Sequence, residues 1–373
     1  MLSVRSGLTV RVAHGFGEAL GDNGLLTSEE WSDLLGHAAS DVVFLTWQWQ
    51  TLWWRHFGEP ADCKLHLLIM RDNGGALAGI APLFVDYAPL PPPKEYQRGQ
   101  LRPEGAGAPM RIVRMVGGID IADYLDVIAS PDMLPTVWAA TLDYLMERRD
   151  EWDVMDFHSL PDWSDSRHLL AHLGEERGLR AQIFPEDVCP VLVLPDEWDT
   201  YLMSLRKKDR HELRRKVRKL EGRDDVRWHL VHPTDSQAMS DAMSIFLDLH
   251  RKSDAAKAEF MDERMADYFR DLAASLAETG WLELAILNIG DQHAAAYFSF
   301  NYGNRLYLYN SGYDPRLAAY SAGIALLAYR IHKAILQDLR VFDFLRGDEP
   351  YKYDFGAKDT YIYRALLTPG DTA

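Results

Sequence analysis

One run of ionisable residues that could move protons or bind charge is the segment 342–356, which reads FDFLRGDEPYKYDFG. Strand alternation places Asp343 on the face opposite Phe342 and Phe344. A carboxylate inside an apolar strand is costly unless it is paired or faces a cleft, so Asp343 is a candidate catalytic group. The turn after the strand adds four charged side chains, Arg346, Asp348, Glu349 and Lys352. The alternative is a surface ion-pair cluster at the end of a hairpin.

A second candidate site lies where a strand from Tyr307 passes through a short loop into a helix that opens at Ser321 or Ala322. Because Ser321, Ala322 and Gly323 are small, the backbone N–H groups at the helix start are accessible. A helix N-terminus carries about half a positive charge, which suits a phosphate or a carbonyl oxygen. The alternative is an ordinary N-cap whose small residues allow the helix to pack closely on the sheet.

A basic stretch, 206–220, is conspicuous in an acidic chain. Four apolar residues form a narrow stripe along it, namely Leu205, Leu213, Val217 and Leu220. We therefore predict an amphipathic helix with a cationic outer face. This face could bind a nucleotide, a tRNA backbone, an anionic lipid or an anionic polymer, or it could simply be solvated.

Two further features are candidates for substrate contact. A tryptophan cluster is typical of a sugar or acyl platform, although a core or inter-domain seam explains it equally simply; its members are Trp47, Trp49, Trp53 and Trp54. His250 lies near a predicted helix end and is a candidate base or substrate contact, or else a buried, hydrogen-bonded histidine.

The composition restricts the partners. The 373 residues include 40 Lys or Arg and 56 Asp or Glu, a net charge of −16, which opposes binding to DNA or to anionic lipid. No stretch approaches the roughly 20 apolar residues needed to span a bilayer. Residues 1–14 lack a continuous apolar run, so we predict no signal peptide. Two isolated cysteines, Cys63 and Cys189, fit a reducing cytoplasm, and the sequence has no metal-binding spacing, P-loop or nucleophile elbow.

The elements that must position these residues follow the same order twice. In the first half, the turn 72–75 joins two predicted strands, and helices and strands follow, including a strand over 124–129. In the second half, strands over 281–289, 292–301 and 305–310 precede a long helix over 322–338. We predict an α+β fold of two tandem units, each a mixed, mostly antiparallel sheet flanked by helices. Pro195-Asp196 marks the predicted boundary, which gives domains 1–195 and 196–373.

At these segments the chain resembles the acetyltransferase-like proteins associated with bacterial cellulose biosynthesis (the CelD/BcsL type). These proteins belong to the Gcn5-related N-acyltransferase (GNAT) superfamily and are akin to the FemAB peptidyltransferases. The matching segments are 47–58, 77–83, 208–216, 312–315, 320–323 and 342–352. The resemblance implies two GNAT-like domains, of which the second is the acyltransferase and the first is degenerate and could bind the acceptor. The usual acyl-CoA loop of the superfamily begins with Arg or Gln, and the segment 320–325 keeps only its end.

The resemblance implies an N-acyltransferase that uses acyl-CoA, without a metal, to acylate an amine or hydroxyl acceptor in polysaccharide or cell-envelope biosynthesis. The expected catalytic residues are Asp343, Asp348, Tyr351 and Lys352. The expected cofactor-binding residues are Asn310, Ser311, Gly312, Tyr320, Ser321, Ala322 and Gly323. The expected substrate contacts are Tyr313, Asp314, Arg346, His250 and Trp49. Two alternatives stay open: a FemAB-like transferase that uses aminoacyl-tRNA, and a non-catalytic protein that binds glycan on the tryptophan cluster.

Overall fold

Apolar periodicity sets the secondary structure in both halves of the chain. The computed structural model describes residues 2–3, 7–21, 24–61, 63–90, 107–118, 120–231 and 235–370. Within these ranges the strands β1 to β13 are, in chain order, Leu2–Ser3, Thr9–Ala13, Lys64–Arg71, Leu77–Ala88, Met110–Met115, Val154–Pro161, Leu179–Val193, Val226–Leu230, Leu282–Ile289, Gln292–Tyr302, Arg305–Tyr313, Val341–Asp343 and Lys358–Pro369. The helices α1 to α12 are Phe16–Leu20, Ser28–Leu35, Trp47–Trp53, Leu134–Met146, Ser166–Glu176, Trp198–Ser204, Lys207–Glu221, Ser236–Ser253, Ala255–Phe260, Glu263–Glu278, Ala322–Leu336 and Pro350–Asp354.

The N-terminal unit comprises residues 1–187 and 361–373. Its described strands follow the order β1-β2-β3-β4-β5-β6-β13, and neighbours are antiparallel except for β5 and β6, which are parallel. The predicted hairpin turn closes through a hydrogen bond from Asp72 N–H to Ala76 O of 2.9 Å. Helix α4 packs directly on β4, because a Cβ on Gly79 would lie 2.4 Å from Val137 Cγ2.

The C-terminal unit comprises residues 188–360. Its described strands follow the order β7-β12-β11-β10-β9-β8, and again one pair, β11 and β12, is parallel among antiparallel neighbours. Helices α8 and α10 cover one face of this sheet, where Phe246 and Phe269 contact Phe298. Helices α7 and α11 pack together in the core cluster on the other face, to which Tyr297 belongs.

The division between the units differs from the single boundary predicted after Pro195. The first unit ends within β7 at Asp187, and Tyr361–Ala373 return to it from the end of the chain. The physical reason is strand pairing: residues of β13 from Ile362 onward pair with β6, whereas Val191–Val193 of β7 pair with β12. The strand that closes the N-terminal sheet therefore comes from the end of the chain, whereas the C-terminal unit is built from one continuous stretch.

The predicted α+β class, with mostly antiparallel sheet and flanking helices, is confirmed. One predicted strand, over 124–129, is wrong, because only an isolated bridge between Ile80 and Ile128 forms there. The loop predicted over 89–109 lies largely outside the described residues. A search of the described residues finds no helix with the length and apolar character needed to cross a membrane.

Candidate functional site

The parallel pair β11 and β12 separates after a short contact. Their pairing covers Arg305–Tyr307 and Val341–Asp343, and β11 then continues to Tyr313 while β12 ends. A bulge in β11 adds to the divergence, since Phe298 pairs with Asn310 but Ser299 pairs with Leu308. Unpaired strand edges leave backbone groups available to a ligand. At the end of β11, however, the Ser311 N–H donates to Asn310 Oδ1 at 3.2 Å and the Tyr313 N–H donates to Ser253 Oγ at 3.0 Å. The divergence therefore opens space beside β11, while these edge donors are already bonded.

A cavity of about 470 Å³ lies beside this end of β11. Eight of the residues predicted from sequence line it, namely Ser311, Gly312, Tyr313, Asp314, Ser321, Ala322, Gly323 and Tyr351. Four polar residues that sequence reasoning missed also line it, namely Asp254, Lys257, Tyr297 and Glu349. The structure thus brings together the strand end, the helix start and part of the 342–356 segment.

The start of α11 is held open toward the cavity. Ser321 connects a 3-10 turn, Pro315–Tyr320, to the helix in the left-handed conformation, with φ 54° and ψ 40°. Its side chain makes no capping hydrogen bond, so the first N–H groups of α11 keep their donor capacity. Tyr297 Oη donates to Gly323 O at 2.8 Å and fixes the first turn. This geometry offers backbone donors to an oxygen or an anion.

The two glycines at the cavity differ in whether the fold requires them. A Cβ on Gly312 would lie 2.4 Å from the backbone nitrogen of His250, so Gly312 is required by the close packing of β11 on α8. A Cβ on Gly323 would meet only Tyr297 Oη, at 3.7 Å, which is an ordinary contact. The fold therefore tolerates a methyl group at Gly323, and the space in front of that residue belongs to the cavity.

The ionisable groups of the cavity come from α9 and from the loop before α12. Lys257 Nζ donates to Ser311 O at 2.6 Å. Burial lowers the pKa of Lys257, and the carboxylates of Asp254 and Glu349 oppose that shift. Burial also raises the pKa of the Tyr351 phenol, and nearby Glu349 adds to the effect. Tyr351 therefore stays protonated at neutral pH and can act as a proton donor, while the Glu349 side chain, 55% exposed, can accept one.

Lys352 lies behind the cavity, where it supports the loop that carries Glu349 and Tyr351. Its Nζ is buried and donates to the carbonyls of Leu345, Arg346 and Gly347 at 3.1, 2.9 and 2.9 Å. The same nitrogen lies 2.9 Å from Glu349 Oε2. These contacts assign Lys352 a positioning role and leave it no room to neutralise charge on a substrate.

Asp343 is likewise part of the scaffold. It is fully buried, its Oδ2 accepts from Arg305 Nη1 at 2.8 Å, and its Oδ1 accepts from the Leu345 N–H at 2.8 Å. The N-terminal unit repeats the pattern: Asp156 occupies the third position of β6, as Asp343 does in β12, and pairs with Arg364 at 2.6 Å. A carboxylate satisfied in this way has no free oxygen directed at the cavity.

The remaining predicted site residues lie outside the cavity. Asp348 is exposed. Arg346 is half-buried, and its backbone carbonyl accepts a hydrogen bond from Lys352 Nζ. Burial lowers the pKa of His250 to about 4, and its Nε2 donates to Asn310 Oδ1 at 2.7 Å. The Tyr320 ring lies 4.8 Å from the Arg223 guanidinium. In the N-terminal unit Trp49 is fully buried, so the prediction that it contacts substrate does not fit its position.

The sequence contains a weak indication of Glu349, because a proline at position 350 is typical of the first residue of a helix and so predicts Glu349 at its N-cap. The structure places Glu349 at the N-cap of α12, where its side chain is exposed. No local signal identifies Lys257, because its contact with Ser311 joins residues 54 positions apart. Tyr297 reaches the site only through the register that places β10 beside β11.

Comparisons with known proteins point to the same half of the chain. A family model described as an acetyltransferase (GNAT) domain matches residues 207–353. A search of curated proteins found no match. The crystal structure of FemX aligns with 91% of this chain and 96% of its own, with a TM-score of 0.61 and 9% identity. L-PGS from Bacillus licheniformis aligns over 92% of each chain, with a TM-score of 0.51 and 12% identity.

These similarities establish the fold. A putative lysylphosphatidylglycerol synthetase C-terminal domain from Agrobacterium fabrum aligns with 91% of this chain and 90% of its own, with a TM-score of 0.51 and 12% identity. With the sheet pattern repeated in both units, the comparisons confirm the predicted tandem GNAT-like fold and a GNAT domain in the C-terminal half. The narrower resemblance to the cellulose-associated type stays a prediction.

Proposed function

We propose that the C-terminal unit transfers an acyl group from a thioester donor of the acyl-CoA class to an amine or hydroxyl acceptor. The observation that carries this proposal is the single cavity in which the diverging end of β11, the open start of α11, a carboxylate and a buried phenol meet. The matched GNAT domain supports the reaction class. We place the acceptor among polysaccharide or cell-envelope precursors on the resemblance alone.

Acyl transfer needs a group that stabilises the carbonyl oxygen, a base and an acid, and residues of the cavity could supply all three. The acyl carbonyl oxygen would accept hydrogen bonds from backbone N–H groups at the α11 start, which stabilise negative charge as it develops. The acceptor nitrogen or oxygen would lose its proton to Glu349, directly or through water, and form the new bond to the acyl carbon. The carbon–sulfur bond would break, and Tyr351 would protonate the departing thiolate. Asp343 and Lys352 would hold the loop that presents both groups.

The exposed carboxylates at the cavity are suited to an amine acceptor. Asp254 and Glu349 line the cavity together with Lys257, and Lys352 lies behind it, 2.9 Å from Glu349. An alkyl amine arrives protonated at neutral pH, so these carboxylates would attract it and then take its proton. Asp314, the third carboxylate there, is already bonded to Arg316 at 2.6 Å.

The proposal is tested by acyl-CoA-dependent release of free thiol in the presence of a panel of amines. Glu349→Gln and Tyr351→Phe are expected to reduce kcat about 100-fold or more, since general acid–base catalysis contributes roughly 10²–10⁴-fold. Asp348→Asn is the matched control, because it changes the neighbouring exposed carboxylate outside the cavity and should leave kcat within twofold. Equal effects of Asp348→Asn and Glu349→Gln would refute the assigned base.

A second candidate function is transfer of an aminoacyl group from tRNA. The fold similarity to FemX and the basic helix α7 beside the cavity support it. A thermal-shift panel of CoA thioesters, charged tRNA and nucleotide sugars separates the two donors. For the glycan-binding alternative the cluster offers little surface, because Trp49 and Trp53 are buried and, among the described residues of the cluster, only Trp47 and Trp54 line a cavity.

A further inference from the structure

The positive charge at the start of α7 is not explained by the helix dipole. The stretch 206–221 contains nine Lys or Arg and three acidic residues. Arg206, Lys207 and Lys208 occupy the cap and first turn, where the helix dipole makes positive charge unfavourable. Cations placed against the dipole require another reason, such as a ligand.

Helix α7 is fixed next to the start of α11. Its buried residues Leu213 and Leu220 belong to the same core cluster as α11. Toward its C-terminal end, Lys219 Nζ donates to Ala319 O at 2.7 Å, two residues before Ser321. The basic helix therefore has a fixed position beside the cavity proposed for acyl transfer.

A second cavity, of about 260 Å³, opens between α7, α11 and α12. Ile324 of α11 lines it, together with three cations and three carboxylates, namely Arg206, Lys208, Lys216, Asp209, Glu212 and Asp354. Ile324 lines the acyl-transfer cavity as well, so the two cavities flank the first turn of α11. A donor whose reactive end lies in one cavity can pass over this turn and place its other end in the second.

The cations of the second cavity differ in how far they are already paired. Arg206 lies 2.5 Å from Asp209 and 3.6 Å from Asp354. Lys216 lies 3.6 Å from Glu212, whose carboxylate also bonds Arg215 at 2.7 Å. Lys208 has no carboxylate within salt-bridge distance in the part of the chain that the structure describes. Its ammonium is the positive charge available to an incoming anion.

We infer that this second cavity binds a phosphate group of the acyl donor, with Lys208 as its principal contact. The inference rests on the proposed function. It supplies a positive charge for the donor phosphate in a chain whose 320–325 segment lacks the Arg or Gln that usually begins the acyl-CoA loop. A phosphate on the ribose of coenzyme A and a phosphate of a tRNA acceptor end share this chemistry. The source of the phosphate is decided by experiment.

The test compares two adjacent lysines of one helix. Kd is measured by calorimetry for CoA and for dephospho-CoA with wild-type protein, Lys208→Gln and Lys207→Gln. Lys207 is exposed like Lys208 but does not line the cavity, so it controls for net charge. We expect Lys208→Gln to weaken CoA binding about 10- to 150-fold, the range expected for a hydrogen bond to a charged group, and to leave dephospho-CoA binding unchanged. Lys207→Gln should stay within twofold for both ligands.

The outcomes separate this inference from the proposed function. If CoA binds the wild-type protein and both lysine variants equally well, the phosphate site is refuted while the acyl-CoA donor stands. If the wild-type protein binds charged tRNA but not CoA, and Lys208→Gln alone weakens tRNA binding, the phosphate site stands and the CoA donor is refuted. Binding of either donor that Lys207→Gln and Lys208→Gln weaken to the same extent would show only a diffuse charge effect and would overturn the site.

Discussion

Substitution of Gly323 by alanine should separate ligand binding from stability. A Cβ at this position meets only Tyr297 Oη, at 3.7 Å, so the folded protein accommodates it without movement. Gly323 is the second residue of α11, and replacing glycine by alanine in a helix stabilises it by up to about 0.5–1 kcal/mol. For a unit of this size that corresponds to a rise in Tm of roughly 1–4 °C.

The same methyl group enters the cavity where the donor must approach the backbone to within about 3 Å for a hydrogen bond. Overpacking of this kind costs roughly 1–2 kcal/mol, or about a 5- to 30-fold increase in Kd. The assay pairs thermal unfolding with calorimetric titration of CoA on the same preparation. We expect Tm to be unchanged or higher while Kd rises. Unchanged Kd with the expected Tm would refute the reasoning that the donor contacts the start of α11.

Three further predictions concern the scaffold. Lys352→Met should lower the free energy of unfolding by about 2–4 kcal/mol in urea titrations, because three buried carbonyls lose their donor; a loss below 0.5 kcal/mol, the size of a typical surface effect, would contradict this role. Arg330 of α11 is buried and pairs with the buried Glu283 of β9. Arg330→Met should lower the free energy of unfolding by about 3–5 kcal/mol, because it leaves the Glu283 carboxylate without this partner, and adding Glu283→Leu should recover most of that loss. An unchanged free energy of unfolding in the Arg330→Met variant would contradict this prediction. In the N-terminal unit, Tm should be highest between about pH 4 and 6.5 and fall on either side. Burial alone would raise the pKa of Asp156, but the charges of His158 and Arg364 hold that pKa below its usual value. Burial alone would lower the pKa of His158, but the carboxylates of Asp156 and Glu186 raise it. The contribution of Asp156 is therefore lost as pH falls and that of His158 as pH rises; a His158→Gln variant with the same alkaline slope as wild type would argue against the second half of this prediction.

Sequence reasoning predicted eight residues that line the cavity, but it also named residues that lie outside it. The helix start at Ser321–Gly323 could be predicted because small residues after a strand have a local signature. Asp343 attracted attention as a carboxylate in an apolar strand, yet its partner Arg305 lies 38 residues away in sequence and is set by strand pairing. The return of β13 to the N-terminal sheet could not be predicted for the same reason, since no local pattern indicates that β13 pairs with β6.

The tryptophan cluster shows the limit of composition as a guide. Four tryptophans within eight residues suggest a binding surface, but α3 and the turn after it place Trp49, Trp53 and Trp54 in the core of the N-terminal unit. Trp47 alone of the four is half-buried, and it lines a shallow cavity in that unit. Burial depends on which face of the helix meets the sheet, and the aromatic residues themselves do not determine that face.

The location of the donor is tested most directly by hydrogen–deuterium exchange with and without saturating CoA. The account predicts slower exchange in peptides covering 305–313 and 319–326, with no change in a peptide covering 134–146 of the N-terminal unit. Protection confined to other segments, or none despite measurable CoA binding, would contradict the assignment of the acyl-transfer cavity.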